Sequence, residues 1–93
     1  MVPPNAVFKA LADPTRREIL HLLRAGPLPS GEIAAKFPSA WATISRHLGV
    51  LRESELVIAE RDGNSIRYEL NTTVLQDLVE GLLDYINPGD DHA

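Results

Sequence analysis

Cysteine is absent from the chain, which excludes disulfides, thiolate metal sites and thiol nucleophiles together. Long apolar runs are absent too, since none approaches the roughly 18 residues that a membrane span needs. The first apolar stretch is interrupted by Pro3, Pro4, Asn5 and Lys9, unlike a secretory leader. A cytoplasmic protein without membrane insertion is expected. The sequence also lacks a Gly-rich phosphate loop, a nucleophile elbow and any Cys/His pair, so no enzymatic activity is expected. Its three histidines, His21, His47 and His92, lie far apart, and none has the i, i+4 partner of a helical metal site. Asp77, Glu80 and Asp84 have no histidine among them and read as a solvated acidic face. Neither a metal nor an organic cofactor is expected. Internal repeats and low-complexity segments are missing as well.

What is there is a chain of 93 residues, 44% hydrophobic and 24% charged, the make-up of one globular domain spanning 1–93. A net charge of −4 counts against a nucleic-acid partner, because phosphate attraction supplies much of such binding. The charge is unevenly placed, however. Residues 1–52 hold seven Lys/Arg and three Asp/Glu, a net +4, whereas residues 53–93 hold two and ten, a net −8. A ligand meets the local field and not the total, so the first half can face a polyanion.

Residues 5–12 predict a short helix with Val7, Phe8 and Leu11 on its apolar side. Asp13-Pro14 then restarts the chain, with Asp as N-cap and Pro at the first helical position. The second helix carries Ile19, Leu20, Leu22 and Leu23 and should stop near Gly26-Pro27. Ser30 is expected to cap a third helix with Ile33, Ala34 and Phe37 inward, ending before Pro38. Ser39 is expected to cap a fourth, over 39–53. From Leu56 the period changes, and 57–61 and 65–70 are strand candidates around Asp62-Gly63-Asn64, residues that tolerate the positive φ of a hairpin turn. Asn71 or Thr72 can cap a last helix of about fifteen residues, and 88–93 reads as a flexible polar tail. The sum is a mainly α fold with a small β-hairpin: a winged helix-turn-helix of five helices and a two-stranded wing, in the order α-α-α-α-β-β-α.

The fourth helix is the most informative element. On a helical wheel Trp41, Ile44, Leu48 and Leu51 gather on one side, while Ser39, Thr43, Arg46 and Val50 fall opposite, with Ala40 and His47 beside them. On so acidic a chain this second face carries no acid until Glu53. Small, hydroxyl-bearing and cationic side chains can press against a polyanion and offer donors to base edges. The last helix is unusual in another way. Val74, Leu75, Leu78, Val79, Leu82, Leu83, Tyr85 and Ile86 cover half its circumference, whereas packing on one core needs a stripe of about 100°. A second copy of the chain is the expected cover, with residues 4–12 and 72–87 as the dimerisation helices. The interface candidates are Val7, Phe8, Leu11, Leu75, Leu78, Val79, Leu82, Leu83 and Ile86.

Three segments resemble the ArsR-type winged-helix repressors. The run 8–20 (FKALADPTRREIL) looks like that family's opening signature, and 43–48 (TISRHL) with 50–53 (VLRE) looks like its recognition helix. The runs 61–64 (RDGN) and 67–71 (RYELN) look like its wing. Within the family, 70–77 (LNTTVLQD) most resembles the SdpR autorepressor group. The resemblance implies a dimeric, sequence-specific transcriptional repressor on a palindromic operator, autoregulatory in that group. It places the fourth helix in the major groove and the wing near the backbone or minor groove. Carried over by position, the DNA-facing residues are Ser39, Ala40, Thr43, Arg46 and His47, with Arg61, Asn64 and Arg67 from the wing. The implied partners are double-stranded DNA and a second copy; some members of the group answer to a membrane-bound protein antagonist.

Other uses stay open for individual residues. Ser39 can serve as a cap, Arg67 can pair with Glu60, His47 can be solvated, and Arg16 and Arg17 can pair with Asp13 or Glu18. A winged-helix protein-interaction module with weak or vestigial DNA binding is the alternative reading of the whole. The sequence also departs from the family pattern. Gly49 stands where a basic residue is common, and Glu55 where Gly is usual, which strains a left-handed cap.

Overall fold

The computed structural model describes residues 4–87, so the expected tail at 88–93 lies outside the described residues. Helix α1 (Pro4–Leu11) ends just before Asp13, whose Oδ2 accepts a hydrogen bond from the Arg16 N–H at 3.0 Å and starts α2 (Pro14–Leu22). Pro14 fills the first turn, where a missing N–H costs nothing. A 3₁₀ turn (Leu23–Ala25) tightens the end of α2, and Gly26 at φ 138 turns the chain out of it. Strand β1 (Leu28–Pro29) and the short α3 (Ser30–Ala34) follow. Ser30 is the first residue of α3 and Pro29 occupies its cap position. The expected extension of α3 to Phe37 is replaced by turns, since the residue before Pro38 is held out of the helical region.

Helix α4 (Trp41–Glu53) starts from Ala40, not Ser39. The Ala40 carbonyl accepts from the Thr43 and Ile44 N–H groups, no side chain caps the helix, and Ser39 stands one residue outside it. Its C-terminus is a complete Schellman turn. The Glu55 N–H donates to the Arg52 carbonyl at 3.0 Å and the Leu56 N–H to the Leu51 carbonyl at 3.1 Å. Leu56 and Leu51 are both fully buried, supplying the apolar contact that goes with this motif. Glu55 pays for the turn with a φ of 63, as the expected strain at this position required.

Strands β2 (Val57–Asp62) and β3 (Ser65–Leu70) form the hairpin, paired from Val57↔Leu70 to Asp62↔Ser65. The two-residue loop puts Gly63 at φ 65 and keeps Asn64 at negative φ, the pattern of a type II′ turn. The sheet has three strands, not the expected two, in the order β1-β3-β2. β1 pairs with β3 through Leu28↔Tyr68 and Pro29↔Arg67. A two-residue strand, one of them a proline, gives no periodic signal, and an edge strand can carry a proline because one row of its N–H groups has no ladder to fill.

Ile19, Leu23, Ile33, Ile44, Leu48, Leu51, Leu56, Val57 and Tyr68 form the buried centre, with Val7 and Ala10 of α1 against them. Helix α5 (Thr72–Ile86) begins at Asn71, whose side chain makes no cap bond. Only its first two turns touch the core, through half-buried Val74, Leu75 and Leu78, and none of its residues is buried. Beyond them Val79, Leu82, Leu83, Tyr85 and Ile86 are exposed. Beside its start lies a cleft of about 250 Å³ lined by Leu11, Leu20, Leu70 and Leu75 and by Arg17, His21 and Arg24. Among the described residues no helix is long and apolar enough to cross a membrane, and no three or more His, Asp or Glu side chains are grouped to hold a metal ion.

Candidate nucleic-acid interface

Ile44, Leu48 and Leu51 anchor α4 in the core, and the helix turns its opposite side outward. Ala42, Ser45, Arg46, Arg52 and Glu53 are exposed there, with Ser39 and Ala40 exposed just before the first turn. Arg46 has no hydrogen-bond or ion-pair partner among the described residues, so its guanidinium is available to a ligand. Thr43, His47 and Val50, expected on the outer face, lie half-buried along its flank. Trp41, expected inward, is 54% exposed. Its wheel angle is close to that of Leu48, but it sits in the first turn, where the helix projects past the edge of the core. Angle alone located the face to within one flank; the axial position decided Trp41. Trp41, Ala42, Ser45 and Arg52 are therefore members of this surface that sequence reasoning missed.

His47 is held from behind. Arg16 Nη1 lies 3.1 Å from its Nδ1, and Asp13 Oδ2 lies 3.9 Å from its Nε2. The imidazole is only 16% exposed, so a solvated role does not fit it. The same Arg16 donates through Nε to the Ala10 carbonyl at 2.8 Å and through Nη2 to the Lys9 carbonyl at 3.0 Å. Arg17 donates through Nη1 to the Leu11 carbonyl at 2.8 Å. Both arginines thus satisfy the open carbonyl end of α1 and form no ion pair with Asp13 or Glu18, because a helix C-terminus offers partial negative charge and unfilled acceptors together. Asp13 has its pKa lowered, first by the hydrogen bond from the Arg16 backbone N–H and further by the neighbouring His47 and Arg16. Burial opposes the shift.

The wing's three candidates are exposed but do not share one surface. Register puts Arg61 opposite Ile66, on the face that carries Ala59 and Tyr68 inward. Arg67 lies opposite Glu60, on the other face. Its ion pair, however, is with Asp62 at 3.2 Å and not with Glu60. Both side chains of that pair are largely in solvent, so it contributes about 1 kcal/mol at most and leaves Arg67 free to exchange partners. Asn64 occupies the tip beside Gly63.

The short α3, a turn, the outward α4 and an antiparallel wing are the parts of a DNA-binding winged helix. Residues 11–59 match the family model described as a helix-turn-helix domain. Across 86 residues the chain is 49% identical to the transcriptional repressor SdpR of Bacillus subtilis, covering 92% of this chain and 96% of that one. The chain belongs to the ArsR-type helix-turn-helix repressors. The arsenical resistance operon repressor of Staphylococcus aureus is 36% identical over 78 residues, covering 84% of this chain and 75% of its own length. The crystal structure of an ArsR family transcriptional regulator superposes with a TM-score of 0.86 at 26% identity, over 95% of this chain and 97% of that one. This ArsR-type chain is accordingly a DNA-binding transcriptional regulator and not an enzyme.

Proposed function

We propose that this repressor binds a palindromic operator as a homodimer, with α4 of each copy in the major groove and the wing against the flanking backbone. The observation that carries the reading is Arg46, an unpaired cation on the exposed and acid-free part of α4. It can hold a guanine through O6 and N7. Ser39, Ala40 and Thr43 flank it, Trp41 and Ser45 extend the surface, and Arg61, Asn64 and Arg67 are the wing's contacts. The dimer rests on the exposed band of Val79, Leu82, Leu83 and Ile86 together with Phe8, which is 48% exposed on α1. Leu11, Leu75 and Leu78 are half-buried at its margin and can contribute, whereas Val7 is in the protomer's own core. A two-fold axis through α5 would present paired reader helices to half-sites one helical turn apart, about 34 Å. By analogy with the autorepressor group, the operator is proposed to lie in the protein's own promoter.

Mapping bound genomic DNA and titrating the recovered site against a random duplex at several salt concentrations tests this. Affinity for the site should fall steeply as salt rises, as counterions return to the phosphates. Arg46→Ala should cost about 1–3 kcal/mol on the operator and less on the random duplex. A loss equal on both would make Arg46 a phosphate contact, and no preference for any site would remove the proposal.

A further inference from the structure

Arg16 joins three helices through one guanidinium. Two of its nitrogens hold the Lys9 and Ala10 carbonyls at the end of α1, and the third reaches His47 in the middle of α4. An arginine side chain is only a donor, so the 3.1 Å contact requires Nδ1 of His47 to accept. The ring proton of the neutral imidazole then sits on Nε2, which faces the Asp13 carboxylate 3.9 Å away. That carboxylate is fixed in turn by the Arg16 backbone N–H. His47 is thus hydrogen-bonded at Nδ1 by Arg16, while its Nε2 faces Asp13 beyond hydrogen-bond distance, both partners belonging to the α1–α2 junction. It directly follows Arg46 in the chain, and consecutive helical residues point about 100° apart. An imidazole fixed on one flank of the helix therefore sets the direction in which Arg46 leaves the backbone.

We propose that Arg16 is a positioning residue for DNA reading: through His47 it fixes the rotation of α4 against the end of α1. The helix that carries Phe8 and the helix that carries Arg46 then move as one body. The inference rests on α4 being the reader, and its test has an arm that does not need DNA.

The first measurement is the nitrogen NMR spectrum of the His47 imidazole at neutral pH, assigned by its loss in His47→Gln. The proton should sit on Nε2, and the Nδ1 resonance should shift in Arg16→Lys, which cannot offer the same fork. A proton on Nδ1, or an Nδ1 resonance unmoved by Arg16→Lys, overturns the proposal. The second measurement is affinity for operator and random duplex. His47→Leu should lose about tenfold on the operator, the scale of one hydrogen bond to a charged group, and less than about twofold on the random duplex. His47→Gln, whose amide oxygen can accept from Arg16, should recover most of the loss. Equal losses on both duplexes would make His47 a phosphate contact and sink the positioning role, as would wild-type affinity in His47→Leu. A wild-type protein that discriminates no duplex at low salt would overturn the reading of α4, and the imidazole spectrum would still decide whether Arg16 holds His47.

Discussion

At Glu55 the left-handed backbone brings Cβ against the carbonyl oxygen, a crowding that glycine avoids. Both hydrogen bonds of the Schellman turn are nonetheless made, so the fold tolerates the strain without being relieved of it. Glu55→Gly should therefore stabilise the protein by about 1 kcal/mol, raising the melting midpoint by several degrees in calorimetry. Asp13 makes the opposite kind of prediction. Its carboxyl is held below the ordinary aspartate range chiefly by the Arg16 N–H. Folding thus favours the ionised form. The stability this supplies is full above about pH 4, where an unfolded aspartate is already charged, and is lost as pH falls through the lower folded value. Asp13→Asn, which keeps a capping oxygen but not the charge, should be less stable than wild type near neutrality and show a weaker dependence on acid below about pH 4 in urea titrations.

Among the elements, α2 was the most legible, because Asp13-Pro14 carries both a cap and a first-turn signal in two residues. β1 was the least legible. It exists only because β3 offers it an edge, a property of Tyr68 and Arg67 far along the chain and not of Leu28-Pro29. Helix α4 falls between the two. Ile44, Leu48 and Leu51 gave its buried side, but the wheel is blind to where the core ends, and so it sent Trp41 inward. The same limit hid the Arg16–His47 contact, which joins residues 31 apart. Trp41 now provides a direct test of the element. It is the only tryptophan in the chain, so its emission reports on α4 alone. Adding operator should shift or quench that emission more than adding random duplex does. Trp41→Ala should cost about 1 kcal/mol of operator binding, since only the exposed half of the side chain is left to bury. Unchanged emission at saturating operator would place Trp41 outside the contact.

The whole molecule is longer than its mass requires. Its extents are 50 × 24 × 23 Å and its radius of gyration is 14.9 Å, against about 12 Å for a compact domain of this length. Among the described helices α5 stands out as the one without a buried residue. The outer part of the wide apolar band that the sequence displayed, Val79, Leu82, Leu83, Tyr85 and Ile86, is thus uncovered in a single copy. Leu82→Asp places a charge in that band, and a two-fold axis repeats it in both copies. The dimer should weaken by about 4 kcal/mol or more, enough to leave a monomer at tens of micromolar in sedimentation. Operator affinity should fall with it, while the core of α1 to β3 stays folded by circular dichroism. A dimer that persists would move the interface elsewhere.

The outer half of α5 also bears on how long a copy survives. Its large apolar side chains, Val79, Leu82, Leu83, Tyr85 and Ile86, are exposed and give it little apolar packing, and about two turns are too short to be stable in water alone. If two copies pair as proposed, winding of that segment and pairing are one equilibrium, governed by protein concentration. A copy without a mate should expose residues 79–87 as cleavable chain, and a paired one should not. Limited proteolysis across a dilution series should show cleavage there rising as the protein is diluted. Scarcity would then hasten the loss of the repressor, giving its level a threshold below which it is cleared instead of maintained.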